Sequence, residues 1–128
     1  MRDQREKTIQ NSSGHEIILD TLQIEDDEIP GIIAAIAKYQ PDVKRLRLAN
    51  NMIGDQGAEA LGVGCMTLAD LEALDLRNNQ IGMEGAIAVY KLIRRHPNLQ
   101  IDIKGNVVDD PDAIQALVTA YKSPPFPL

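Results

Sequence analysis

Two stretches of this chain are nearly the same phrase. LRLANNMIGDQGAEAL begins at Leu46 and LDLRNNQIGMEGAIAV at Leu74, so a unit of 28 residues is followed directly by its own copy. Looser copies begin at Ile17 (IILDTLQIEDDEIPGII) and Ile101 (IDIKGNVVDDPDAIQAL), 29 and 27 residues from their neighbours. A period of this size means that one supersecondary unit is stacked on itself, each copy burying an apolar face that it could not bury alone.

The first half of the unit reads as a short strand. Leu46 and Leu48, like Leu74 and Leu76, alternate with Arg47 and Asp75, which puts the leucines on one face and the charges on the other. Asn51, Asn79 and Asn106 each fall three residues after the second apolar position, where the chain must leave the strand and its backbone groups lose their ladder partners. An inward amide supplies both donor and acceptor for those groups, so stacked copies predict a ladder of side-chain-to-backbone hydrogen bonds. Ile53, Ile81 and Val108 then plug the interior beneath, and Gly54 and Gly82 suit a turn into a helix.

The second half reads as that helix. Gly57, Leu61, Cys65 and Leu68 recur at helical steps, as do Gly85, Val89, Leu92 or Ile93, and His96. Acidic residues sit where a positive helix end is expected: Glu25 to Glu28 before the first helix, Asp109 and Asp110 before Pro111. Gln40-Pro41 and His96-Pro97 read as stops of two of these helices.

The pattern LxxLxLxxNxIGxxGxxxL resembles the leucine-rich repeats of the ribonuclease-inhibitor type, over about residues 15 to 121. That resemblance implies an α/β fold, a short right-handed solenoid with parallel strands on the concave face and α-helices on the convex face. Four repeats are expected at 15–42, 43–70, 71–97 and 98–121, preceded by a polar arm, 1–14, and followed by a proline-rich tail, 122–128. Leu22 stands where an asparagine belongs in the first repeat, as in a terminal capping unit. The arm, with Ile9 its sole apolar residue beyond Met1, looks like a poor cap and is expected to be partly disordered. In the tail, Phe126 is expected to fold back over the last repeat; the PxxP of Pro124 and Pro127 is the weaker alternative.

Parallel strands sit about 4.8 Å apart and packed helices about 8–10 Å, so the stack must curve with its strands inside. Across that face three outward rows are expected: Glu16, Arg45, Ala73, Gln100; then Ile18, Arg47, Asp75, Asp102; then Asp20, Ala49, Arg77, Lys104. Arg45, Arg47, Asp75, Arg77, Asp102 and Lys104 are the candidate partner-binding residues. The same charges have a plainer use, which is to neutralise one another in solvent. Four strands of three or four residues give a face of a few hundred Å², against about 800 Å² per partner in a standard protein interface. Flanking loops, a tail or a second copy must then contribute.

The chain lacks the marks of an enzyme. It has no GxSxG, Walker loop or GxGxxG, and His15 and His96 have no neighbours at metal-ligand spacing. Cys65 lies on an apolar helix face, and Asp109, Asp110 and Asp112 lack the glycine and alternation of a calcium loop. Thirteen basic and 19 acidic residues give a net charge of −6, scattered, which argues against nucleic acid and anionic membrane as partners. The expectation is a non-catalytic protein-protein interaction module without cofactor or metal. It is placed in the cytoplasm, or in a host cytoplasm by analogy with delivered bacterial effectors. The alternatives are a self-associating structural unit, homodimeric through a terminal repeat or strand edge, and a regulator of an enzyme or GTPase.

Overall fold

A computed structural model describes residues 3–108 and 110–122. Four strands, β1 (Glu16–Ile18), β2 (Arg45–Arg47), β3 (Ala73–Asp75) and β4 (Gln100–Asp102), form one parallel sheet in chain order. Each is followed by helix: α2 (Ile29–Tyr39), α3 (Asp55–Gly64), α4 (Met83–Tyr90) with α5 (Leu92–Arg95), and α6 (Pro111–Lys122). The register sets Leu46 opposite Leu74 and Leu74 opposite Ile101, so the repeat phase of the sequence is also the pairing phase of the sheet.

One continuous core runs between sheet and helices. Leu46, Leu48, Leu74 and Leu76 are fully shielded from one side, Ile32, Leu61 and Val89 from the other. The alternation that defines each strand therefore delivers its leucines to a shared interior. The helices approach closely because small residues face each other: a Cβ on Gly62 would press against the Ala88 carbonyl oxygen.

The asparagines close the turns. Asn51 Oδ1 accepts the Leu22 and Ile24 N–H groups, both at 3.0 Å, while its Nδ2 donates to the carbonyls of Leu19 and Leu48. Asn79 takes the Ile53 N–H and gives to Leu48 and Leu76; Asn106 takes the Ile81 N–H and gives to Leu76 and Ile103. Each amide thus stitches its own repeat to the preceding one. The residue before it makes this geometry reachable: Asn50, Asn78 and Gly105 all have positive φ, at 58°, 56° and 77°. The first asparagine of each NN pair bends the chain and the second bonds it. In the first repeat Thr21 must do the same at φ 59°, a conformation that disfavours a β-branched side chain.

The N-terminal end differs from the expected flexible arm. Asp3–Gln10 is a helix, α1, and its Ile9 is fully buried in the core cluster with Ile17 and Ile29. Arg5 anchors it, with Nε donating to Glu28 Oε2 at 2.7 Å and Nη2 to the Leu22 carbonyl at 2.6 Å. Gln40 Nε2 donates to the Ser12 carbonyl at 2.9 Å. A helix with one apolar residue docks because a buried, hydrogen-bonded ion pair accompanies it. The tail containing Phe126, Pro124 and Pro127 lies outside the described residues, as does Asp109.

The acidic residues also differ from expectation. The N-terminal residues of α2 receive no side-chain cap from the cluster before them. Asp26 instead accepts the Gly54 N–H at 2.6 Å, at the start of the next repeat's helix, and Asp55 accepts those of Gly82 (2.7 Å) and Gly85 (3.0 Å) one repeat further on. Gly54 and Gly82 have negative φ, so their role is room: a Cβ at either would come within 3.2 Å of the visiting carboxylate. The capping acid belongs to the repeat before. Met83 stands where Asp55 stood, so the series ends, and α6 is capped locally by Asp110 Oδ1 on the Asp112 and Ala113 N–H groups.

Two predictions follow from the turns. Asn79→Ala leaves the buried Ile53 N–H unanswered and takes one of two amide donors from each of the Leu48 and Leu76 carbonyls; it lowers stability by roughly 2 kcal/mol, as read from urea unfolding. Thr21→Asn, which installs the residue used at the two equivalent turns, raises stability by about 1 kcal/mol.

Candidate functional site

The strand face carries a groove of 730 Å³ that spans β2 to β4 and reaches Ile114 and Gln115 of α6. All six candidate binding residues line it: Arg45, Arg47, Asp75, Arg77, Asp102 and Lys104. Strand alternation puts them there, since the buried leucine between each pair of outward residues fixes which way its neighbours point.

These side chains are held in place by one another. Arg47 Nε donates to Glu16 Oε2 at 2.7 Å, and Arg45 Nε lies 3.5 Å from the same oxygen, so one carboxylate on β1 serves two guanidinium groups on β2. Arg77 grips Asp75 with both arms, Nε to Oδ1 at 2.9 Å and Nη2 to Oδ2 at 2.8 Å. It stands 4.0 Å from Asp102 Oδ2 as well, shielding the two like charges that face each other across β3 and β4. Asp75 and Asp102 further accept the N–H two residues on, from Arg77 and Lys104, a turn repeated in adjacent units. Lys104 has no ion-pair partner among the described residues.

Exposed pairs of this kind contribute little stability, about 0–1 kcal/mol each. What they do is orient. A bidentate guanidinium cannot swing freely, so the face presents fixed cationic and anionic points. The third outward row is a partial exception: Ala49 is buried, because it lies beyond the end of β2 where the chain already turns, with its N–H on Asp20 Oδ1 and its carbonyl on Asn51. At the opposite end of the face Ile18 is 53 % exposed, an apolar point beside the charges.

The titrating groups follow the same partners. The Arg47 hydrogen bond, with the charges of Arg47 and Arg45 behind it, holds the Glu16 carboxyl below its ordinary value. For Asp75 partial burial works the other way but is outweighed by the side-chain and backbone hydrogen bonds from Arg77, so its carboxyl too is lowered. Burial pushes the Cys65 thiol up to about 12, which makes it a packed core atom and a poor nucleophile at neutral pH. Burial, reinforced by the Asp102 charge, raises the Tyr90 hydroxyl to about 12; that hydroxyl donates to the Ile101 carbonyl at 3.5 Å. His96, placed by its spacing on an apolar helix face, ends α5 half-buried, with Nε2 3.3 Å from the Cys65 carbonyl oxygen. Among the described residues no group of three or more His, Cys, Asp or Glu is placed to hold a metal ion, and no helix is long and apolar enough to cross a membrane.

A lowered carboxyl pKa in the folded state means that the unfolded chain binds more protons as the pH falls. The Asp75 contribution to stability is therefore present above its ordinary value of 3.8 and is lost as pH drops through the depressed folded value. Asp75→Asn is expected to flatten the fall in stability below pH 4, read from urea midpoints across pH 2 to 6, relative to the unaltered chain.

Compared with known sequences, the chain matches a family model described as a leucine-rich repeat at two places, residues 39–62 and 67–89. No curated protein matches it. The matched segments hold β2 with most of α3 and β3 with most of α4, the same units whose asparagines and leucines build the core. The two central units of this solenoid thus match the leucine-rich repeat model.

Proposed function

We propose that the chain is a non-catalytic protein-interaction module of the ribonuclease-inhibitor repeat type, binding its partner on the strand face. The observation that carries this reading is the pre-set charge pattern over the groove. Arg45, Arg47 and Arg77 are each held by a carboxylate of a neighbouring position, so the entropy of fixing long side chains is lost in the free protein and not again on binding. Leucine-rich repeats commonly mediate protein-protein interaction, in keeping with such a surface.

The pattern also says what kind of partner suits it. Four cations (Arg45, Arg47, Arg77, Lys104) and four anions (Glu16, Asp20, Asp75, Asp102) make the face electrically balanced within a chain of net charge −6. It therefore selects by the arrangement of charges and not by bulk attraction. The turns leaving the strands add apolar contact, with Leu22, Met52 and Val107 exposed along them. They extend a face that is small for a standard interface.

The test is affinity capture from the native cell type, followed by affinity measurement with the purified partner and the triple variant Arg47→Ala, Asp75→Ala, Arg77→Ala. Loss of at least about tenfold is expected, since a charge pair removed from an interface costs 2 kcal/mol or more. Unchanged affinity, with the variant folded, would move the binding surface elsewhere.

A further inference from the structure

The two ends of the solenoid are finished differently. At the N-terminal end α1 covers the core with Ile9, and the Glu16 N–H is taken by the Ser13 carbonyl at 3.4 Å. At the other end, among the described residues, β4 has one neighbour, β3. Its Gln100 N–H donates to the Glu72 carbonyl, and the Asp102 and Lys104 carbonyls accept the Leu76 and Asn78 N–H groups, so residues 100, 102 and 104 face β3. In a parallel ladder alternate residues face alternate sides, which turns Ile101 and Ile103 to the outer edge. Among the described residues neither N–H has a partner. Beside this edge Ile101, Ile114, Leu117 and Val118 are only partly buried.

We infer that this edge pairs with the same edge of a second copy, strand against strand in the antiparallel sense, with Ile101 opposite Ile101 of the other copy. A two-fold axis makes neighbouring edge strands run antiparallel and gives each copy the same contacts. Because Ile101 directs both backbone groups outward, placing it on the axis lets the two residues exchange a closely spaced pair of N–H to carbonyl bonds. The Tyr90 hydroxyl on the Ile101 carbonyl does not prevent this, since a carbonyl oxygen has two lone pairs.

Side-chain chemistry is compatible with this register. With Ile101 on the axis, Gln100 of each copy stands opposite Asp102 of the other, an amide donor facing a carboxylate on the strand face. Centring on Asp102 instead would set two carboxylates directly opposite, which is unfavourable, and would ask for backbone bonds from a residue already bonded to β3. The partly buried residues of α6 would meet their own copies across the axis at the helix spacing the repeats already use. The result is an eight-stranded sheet and a strand face of twice the width, which brings the small recognition surface to the dimensions of a standard interface.

Sedimentation of the full chain over a range of concentrations tests this, with Gln100→Lys and Gln100→Glu as register probes. Gln56, exposed on α3, receives the same two substitutions as a control for net charge. The expected result is a monomer-dimer equilibrium that Gln100→Lys tightens and Gln100→Glu weakens, each by roughly fivefold through its two symmetric pairs, with the Gln56 variants near the parent. Three outcomes overturn the inference: a monomer at every concentration, Gln100 variants that move no more than their Gln56 counterparts, or dimer formation only in a chain ending at Lys122, which would give the edge to the protein's own tail.

Discussion

The constraint on which everything else depends is the backbone left unpaired where each three-residue strand ends. A strand this short makes few ladder bonds, and its turn carries N–H and carbonyl groups straight into an apolar interior. An unanswered buried group costs about 1–3 kcal/mol, so several such turns would cancel the stability of a small domain. Asn51, Asn79 and Asn106 remove that cost, each only 8 % exposed and each bonded to two repeats at once. Once those turns are secured, the strands stay in register, the leucines on one side form a spine, and the alternate residues are fixed on the open face.

A second, independent coupling runs along the helix side. Asp26 and Asp55 reach forward to the first N–H groups of the next helix, while the asparagines reach back to the preceding turn. The glycines at the start of α3 and α4 leave space for those carboxylates. The first three repeats are thus joined at both ends of the loop between strand and helix. This explains why the arginine and aspartate side chains of the strand face can sit on a scaffold whose elements are so short.

How much of this could be read from residues alone depended on periodicity. Leucine alternation and the asparagine offset repeat at a fixed interval, so strand, turn and face are legible from LRLANN and LDLRNN, and the outward rows of β1 to β4 coincide with the register of the sheet. What escaped was not periodic or spanned two periods. Residues 1–14 read as a loose arm because one isoleucine is little apolar surface with which to dock a helix; the missing information was that Arg5 meets Glu28, 23 positions away. Asp26 reads as part of an acidic cluster at the start of its own helix and Asp55 draws no notice, although they lie 28 and 27 residues before the glycines they serve, a spacing that was visible. The turn-forming role of Asn50 and Asn78 was hidden by the ladder residue beside it, and Ala49 fell in an outward row at a point where the chain had already left the strand.

The most direct measurement is native-state hydrogen exchange at the amides of Ile24, Ile53 and Ile81, three of the four N–H groups that end on ladder asparagines and one for each asparagine. The account predicts that they exchange only through global unfolding, with free energies equal to the stability of the whole domain. Exchange in the folded state at rates near those of the exposed loops would show that the asparagine amides do not hold the turns, and the explanation of the fold would be wrong.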